Sequence, residues 1–261
     1  MQYDLIVIGS GPGGYRAAVL AAQRGLKVGI VEKADWGGCG LNRGAIPKNA
    51  WHHSAKLLAA SRGYAKRGVQ GALNGDLAQA WEHQKKMVKA VRDGYIGNMK
   101  QLRIAGFAAQ AAFVDAHTIT LDGRDSLSSQ HFIIATGAST FVPKPFYQTE
   151  NKVLTSDDLF NQAPPAGKRV AIVGSGLVAT EFAFILAMLG KEVTWICQNP
   201  PLANTGFSPS ALQLLMDKFK HYGIEPKLGN RPEAVEIMPE GVKLILQGGS
   251  EEIVVDWVLL G

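Results

Sequence analysis

Two glycine-rich hexapeptides carry the chemistry most legible in this 261-residue chain. Gly9-Ser-Gly11-Pro-Gly-Gly14 follows the apolar run Leu5-Ile-Val-Ile8, and Gly174-Ser-Gly176-Leu-Val-Ala179 follows Val170-Ala-Ile-Val173. In a G-x-G-x-x-G loop the first glycine permits a sharp turn. The second leaves room for a pyrophosphate against the backbone, and the third lets helix and strand approach closely. Phosphates placed there lie at a helix N-terminus, where free N–H groups and the helix dipole favour anions. Glu32 ends the next strand, about 20 residues beyond the first loop, where a carboxylate accepts hydrogen bonds from ribose hydroxyls. The first loop therefore reads as a dinucleotide site. The second carries Ala179 at the third place and Cys197 at the position of Glu32. Cys197 is neither an acid for an unphosphorylated ribose nor an arginine for a 2′-phosphate, so the choice between NAD and NADP is unreadable. Gln198 or Asn199 could bond a hydroxyl instead. The competing reading of this second loop is a retained fold that binds nothing tightly.

The two loops belong to a repeat. Asp4–Lys33 and Arg169–Gln198 align without a gap at an offset of 165 residues. Each copy reads strand, glycine turn, helix, strand. The strands are continuous apolar runs, as expected when a parallel sheet is covered on both faces. Tyr15–Gln23 and Thr180–Leu189 read as helices, with Gly25 and Gly190 where a helix C-terminus favours glycine. Val28–Val31 and Val193–Ile196 read as the second strands. Between the copies, Ala78–Leu102 reads as a helix. Ile104–Ile134 reads as antiparallel strands with a turn at Asp122-Gly123. Pro143–Pro165 holds four prolines and reads as a connection between domains. Leu212–Tyr222 reads as a helix, and Val235–Leu260 as strands broken at Glu240-Gly241 and Gly248-Gly249. The fold class is thus α/β, with two Rossmann-like dinucleotide-binding domains, the first interrupted by an antiparallel insertion. The expected domains are 1–150 and 168–261, joined by a linker at 151–167.

Hydrophobic residues make up 46% of the chain and charged residues 19%, enough apolar mass to bury a core. The net charge of +5 is spread without a long basic block, so it marks no nucleic-acid partner and suits anionic phosphates. Two cysteines cannot build a disulfide framework, which favours a reducing, cytoplasmic compartment. The N-terminus lacks a basic leader region and reads as a buried strand rather than a signal peptide. No run approaches the roughly 20 apolar residues of a membrane span. His52 and His53 are adjacent and diverge on any helix, and no metal site is expected.

Residues 37–49, Gly-Gly-Cys-Gly-Leu-Asn-Arg-Gly-Ala-Ile-Pro-Lys-Asn, add a third motif. The segment resembles G-G-T-C-x-N-x-G-C-I-P, which carries the redox disulfide of the FAD-dependent pyridine nucleotide-disulfide oxidoreductases. That family includes glutathione reductase and dihydrolipoamide dehydrogenase. The resemblance spans essentially the whole chain, through Ala135-Thr136-Gly137, the second loop with Glu181, and Val255–Gly261. It implies FAD on the first unit, held by Gly9, Gly11, Gly14, Glu32 and Lys33. Gly38, Cys39, Ala111, Ala135, Thr136 and Gly137 complete that site. It implies NAD or NADP along Gly174, Gly176 and Ala179. Ile133–Gly137 would be the strand that returns beneath the flavin. Lys48 matches a lysine that contacts the flavin and pairs with the glutamate matched by Glu181; these two are the catalytic candidates. The bland reading of Lys48 is a solvated residue at a helix start. Leu177 stands where some relatives place a tyrosine lid.

The departures from that pattern bear on function. The family's two cysteines fall on Gly40 and Ala45, and neither can form a thiolate. One remaining cysteine cannot supply an intramolecular dithiol. Cys39 acting alone would need a sulfenic acid or mixed disulfide; the expected role is a small buried structural thiol. The family's return segment and dimerisation domain, with a catalytic His and Glu, have no counterpart here. The resemblance thus implies transfer of hydride from NAD(P)H to flavin and on to an unknown, non-disulfide acceptor. The alternative is a non-catalytic, truncated or degenerate dinucleotide-binding relative, completed if at all by a missing C-terminal half or partner chain. An active disulfide reductase is disfavoured by Gly40 and Ala45.

Overall fold

A computed structural model describes residues 2–147, 151–249 and 251–261. The chain forms two compact units, Met1–Lys48 with Gln84–Ser139, and Asn49–His83 with Thr140–Gly261. The expected boundary at residue 150 lies outside the described residues.

The first unit opens with β1 (Tyr3–Ile8), α1 (Pro12–Gln23), β2 (Val28–Glu32) and the short helix α2 (Gly38–Asn42). The first turn of α3 (Ala45–Ser61) follows, and the chain returns in α4 (Leu77–Gln101). Strands β3 (Ala105–Ala108), β4 (Ala111–Asp115), β5 (Thr118–Leu121) and β6 (Asp125–Ile134) complete it. The sheet order is β3-β2-β1-β6-β5-β4. The first four of these strands are parallel, and β6, β5 and β4 pair antiparallel. All five residues of β2 are buried, as a strand between two covered faces requires. Leu5, Val7, Val28 and Ile30 pack with Ala18, Val19 and Ala21 of α1 and Met99 of α4. Ile6, Val31, Ile119 and Leu127 fill the opposite face.

The pattern from Ile104 to Ile134 predicts antiparallel strands, yet β3 pairs in parallel with β2. Helix α4 brings the chain back before β3, and the four residues Ala-Gly-Phe-Ala carry no direction signal of their own. The Asp122-Gly123 turn holds, with φ of 51° and 69° at its two residues. Positive φ at both centres suits the twist of a tight hairpin.

The second unit takes the rest of α3 and the first turns of α4. It continues through β7 (Val153–Thr155), α5 (Ser156–Asn161), β8 (Arg169–Val173), α6 (Leu177–Met188), β9 (Glu192–Cys197) and α7 (Pro209–His221). Then come β10 (Pro226–Leu228), β11 (Pro232–Met238), β12 (Gly241–Leu246), β13 (Glu252–Val255) and β14 (Trp257–Leu260). A five-stranded parallel sheet runs β10-β9-β8-β14-β7, beside a three-stranded antiparallel sheet β11-β12-β13. Helix α6 buries residues around most of its circumference. Phe182, Ile185 and Leu186 pack with Trp51, Trp195 and Trp257 in one core. The indole N–H of Trp51 donates to the carbonyl of Ala80 at 3.0 Å, which joins α3 to α4 inside this unit.

The stretch expected to be a plain linker contains structure. β7 pairs with β14, Val153 opposite Val258. Thr155 then caps α5 in a reciprocal box, its hydroxyl accepting from the Asp158 N–H while the Asp158 carboxylate accepts from the Thr155 N–H. Such a box satisfies helix-end donors that would otherwise lack partners. No helix among the described residues is long and apolar enough to cross a membrane.

Candidate functional site

The first glycine loop joins β1 to α1. Gly9 sits at φ 101°, and its N–H donates to the Val31 carbonyl at 2.8 Å. A Cβ there would collide with the Ala135 carbonyl, which follows β6. At Gly14 a Cβ would collide with the carbonyl of Gly9 itself. These two glycines are therefore demanded by the protein's own packing. Gly11 differs, because a Cβ there would meet only Gly38 Cα, at 3.9 Å. Protein packing alone does not demand glycine at that position, as expected where backbone is kept clear for a ligand. Pro12 occupies the first position of α1, and the first turn contains no acidic side chain. The helix end keeps its anion-attracting character.

A cavity of about 520 Å³ opens onto this loop. Its walls include Gly9, Gly11, Glu32 and Lys33 from the βαβ unit, Gly38 and Cys39 from α2, and Ala111 from β4. Ala135, Thr136 and Gly137 close another side. Gly14 stands behind the loop, packed on Gly9, and does not line the cavity.

Glu32 is 9% exposed. Oε2 accepts from the Ser10 N–H at 2.9 Å and the Ser10 hydroxyl at 2.7 Å, while Oε1 accepts from the Ala34 N–H at 2.9 Å. Burial by itself raises the pKa. The bonds from Ser10, Ala34 and Lys33 outweigh it and hold the carboxyl below its ordinary value. Glu32 also borders the cavity, which places its carboxylate where a ligand hydroxyl would meet it. Ser10 also accepts from the Gly37 N–H at 2.9 Å, which ties the loop to the segment before α2. The residues present fit a dinucleotide that brings a ribose and a pyrophosphate.

Further residues around the cavity carry no motif of their own. Ser10 is buried and links Glu32 to Gly37; its signal was a serine shared by both loops, Ser10 and Ser175. Arg43 brings a half-buried guanidinium to the cavity wall. Asn42 is buried, and its amide donates to the carbonyls of Trp36 at 3.0 Å and Gly38 at 2.9 Å. Arg92 of α4 holds the Asn42 Oδ1 at 2.6 Å and meets Asp35 at 3.1 Å. No local pattern marks either contact, since Arg92 lies 50 residues from Asn42.

Cys39 departs from expectation. The sequence predicts a small buried structural thiol, yet the side chain is exposed and lines the cavity. The cause is α2, a five-residue helix that turns Leu41 and Asn42 inward and leaves Cys39 outside. At Gly40 a Cβ would come within 2.9 Å of Pro12 Cγ, so a side chain there requires the proline ring to move.

The second loop repeats the first bond for bond. The Gly174 N–H donates to Ile196 at 3.0 Å, and the Thr180 N–H to Gly176 at 3.1 Å. Tyr15 and Gly11 make the equivalent helix-starting bond at 2.8 Å. A Cβ at Gly174 would strike the carbonyl of Gly261, just after β14, and Ala179 packs on the same glycine. A Cβ at Gly176 would meet nothing within 4 Å. The difference lies at the strand end. The Cys197 thiol is buried and donates to the Gly174 carbonyl at 3.3 Å, where Glu32 accepts from Ser10. Burial pushes that thiol up to about 12. Gln198 and Asn199 are exposed just beyond it, and Leu177 is 55% exposed at the start of α6. Lys48 and Glu181 are both half-buried, Lys48 in the first unit and Glu181 in the second. No group of three or more His, Cys, Asp or Glu side chains suited to a metal occurs among the described residues.

Fold and loops together define an α/β protein with two Rossmann-like βαβ units of the dinucleotide-binding kind. Residues 3–261 match the family model of the pyridine nucleotide-disulphide oxidoreductases, and the chain belongs to that family. It is 32% identical over 265 residues to a dihydrolipoyl dehydrogenase of Chlamydia muridarum. It is 35% identical over 262 residues to a dihydrolipoyl dehydrogenase of Thermus scotoductus. Each match covers 99% of this chain and 56% of the relative, so the chain spans about half the length of the curated relatives it matches. Among solved structures it is similar in fold to the HOCl-induced flavoprotein disulfide reductase RclA from Escherichia coli. The TM-score is 0.84 at 24% identity, over 99% of this chain and 56% of that one.

Proposed function

We propose that the protein is an FAD-dependent oxidoreductase that takes hydride from NAD(P)H and delivers the electrons to an acceptor other than a disulfide. The observation that carries this reading is the cavity beside the first glycine loop, with the Glu32 carboxylate presented at its edge. Membership in the family and the names of its flavoprotein relatives support FAD as the dinucleotide. We assign FAD binding to 1–150 and nicotinamide dinucleotide binding to 168–261. Glu32 would accept from the ribose hydroxyls, and the loop N–H groups at the start of α1 would meet the pyrophosphate. Arg43 adds positive charge to the same wall. Gly38, Cys39, Ala111 and the Ala135–Gly137 turn would line the rest of the cofactor.

Lys48 and Glu181 are the proposed catalytic residues. A cation beside the flavin would stabilise negative charge at that edge. A bound flavin supplies the redox chemistry, cycling electrons between nicotinamide and acceptor. Gly40 and Ala45 stand where the family's redox cysteines fall, which supports an acceptor that needs no protein dithiol. The cysteine usage supports a cytoplasmic setting.

A second reading, binding without turnover, is favoured by Cys197. Its thiol is spent on the Gly174 carbonyl at the place where an acid would greet a ribose. The experiment is the visible absorption spectrum of the protein reconstituted with FAD, before and after anaerobic NADH or NADPH. The expected result is a flavin band that bleaches. A bound flavin that neither nucleotide reduces would replace the first reading with the second. A protein that takes up no FAD would overturn the cofactor assignment.

A further inference from the structure

The second unit contains another cavity, of about 380 Å³, unrelated to either glycine loop. That volume falls in the range of small-molecule sites, roughly 300–1,000 Å³. Helix α3 contributes His52, Lys56, Ala59 and Ala60, residues that share one helical face. Phe184 comes from α6, and Lys218, Phe219 and Tyr222 come from α7 and its end.

The walls are aromatic. Phe219 is buried and packs on Trp195 at 5.3 Å between ring centres. Phe184 meets Tyr222 at 5.4 Å, and His52 meets Phe184 edge-on at 5.6 Å. The charge is of one sign. Lys218 Nζ and Arg62 Cζ each lie 5.6 Å from the centre of the Tyr222 ring. No carboxylate lines the cavity, and neither Lys56 nor Lys218 has an ion pair among the described residues. Lys218 alone has a structural explanation, since basic residues in the last turn of α7 offset its helix dipole. Lys56 has none, because it lies before the last turn of α3 and lines the same cavity. Two unneutralised ammonium groups around an aromatic hollow are complementary to a flat, apolar anion.

We propose that this cavity binds a small aromatic carboxylate, with its ring against Phe184, Phe219 and Tyr222 and its charge held by Lys56 and Lys218. The inference does not rest on the redox reading of the glycine loops.

Calorimetric titration with 2-naphthoate and its neutral amide, on the full chain, tests the site. The expected result is one-to-one binding, with the carboxylate preferred by about tenfold or more. Lys56→Gln with Lys218→Gln should abolish that preference, both lysines being exposed. Tyr222→Ala should weaken both ligands by about fivefold or more, a loss consistent with removal of one aromatic wall. The proposal is overturned if naphthoate shows no saturable binding. It is equally overturned if the amide binds as well, or if the double lysine variant binds naphthoate unchanged, which would place the ligand elsewhere, for instance at a glycine loop.

Discussion

At the scale of single residues, Glu32 and Cys197 occupy equivalent places in the repeat and behave in opposite ways. Glu32 accepts from Ser10 and Ala34 and still faces the cavity; Cys197 gives its one proton to the loop and is shut away. Glu32→Ala should weaken FAD retention by about tenfold or more, equivalent to ~1.4 kcal/mol, as read by flavin content after gel filtration. Cys39→Ala should leave flavin content near wild type, and equal loss in both variants would remove the ribose role from Glu32. The carboxylate also predicts a pH effect. Its folded pKa lies below the ordinary 4.5, so its contribution to stability is fully present above that value and is lost as pH falls through the folded one. Denaturation of wild type and Glu32→Gln should therefore differ at pH 6, and the difference should shrink as pH falls below 4.5. The thiols separate in the same manner. Cys39 is exposed and should be alkylated in the native protein. Cys197, buried and pushed up to about 12, should react only after unfolding. Two thiols labelled at equal rates under native conditions would contradict the buried position of Cys197.

At the scale of elements, α2 and the turn before it depend on a contact no local pattern announces. Asn42 bonds the carbonyls of Trp36 and Gly38, and Arg92 of α4 holds Asn42. Asn42→Ala leaves those buried partners unsatisfied and should cost about 2 kcal/mol. For a chain of this size that is a fall of roughly 4–8 °C in Tm. Flavin affinity should fall as well, because Gly38 and Cys39 line the cavity; a variant with unchanged Tm and affinity would remove Asn42 from any positioning role. The glycine loops, by contrast, were legible because their requirements are local: a turn, a close helix and strand, and a helix N-terminus all fall within a few residues. β7 and α5 were also marked locally, by Thr155 three residues before Asp158, but the surrounding prolines argued for a connection. The parallel direction of β3 was beyond reach, since four residues carry no record of the strand they will join.

At the scale of the whole molecule, the repeat is larger in space than in sequence. The gapless alignment covers one βαβ unit, whereas each sheet adds a third matching strand beside its first. Ala135 N–H donates to Ile8 at 2.8 Å after β6, and Gly261 N–H donates to Val173 at 3.0 Å after β14. Both residues then press on the first glycine of their own loop. The stretches leading to these strands differ in length and content, so alignment alone could not pair them. Each unit also carries its own apolar clusters. Gly14→Ala should use that independence. Its Cβ collides with the Gly9 carbonyl, inside the first unit, and an overpacked contact costs about 1–3 kcal/mol. If each unit is stabilised by its own core, the damage stays local. Hydrogen exchange should then quicken in peptides covering β1, β2 and β6, while β8, β9 and β14 keep their protection. Equal loss across both sets would mean that the chain opens as one cooperative body and that neither repeat stands without the other.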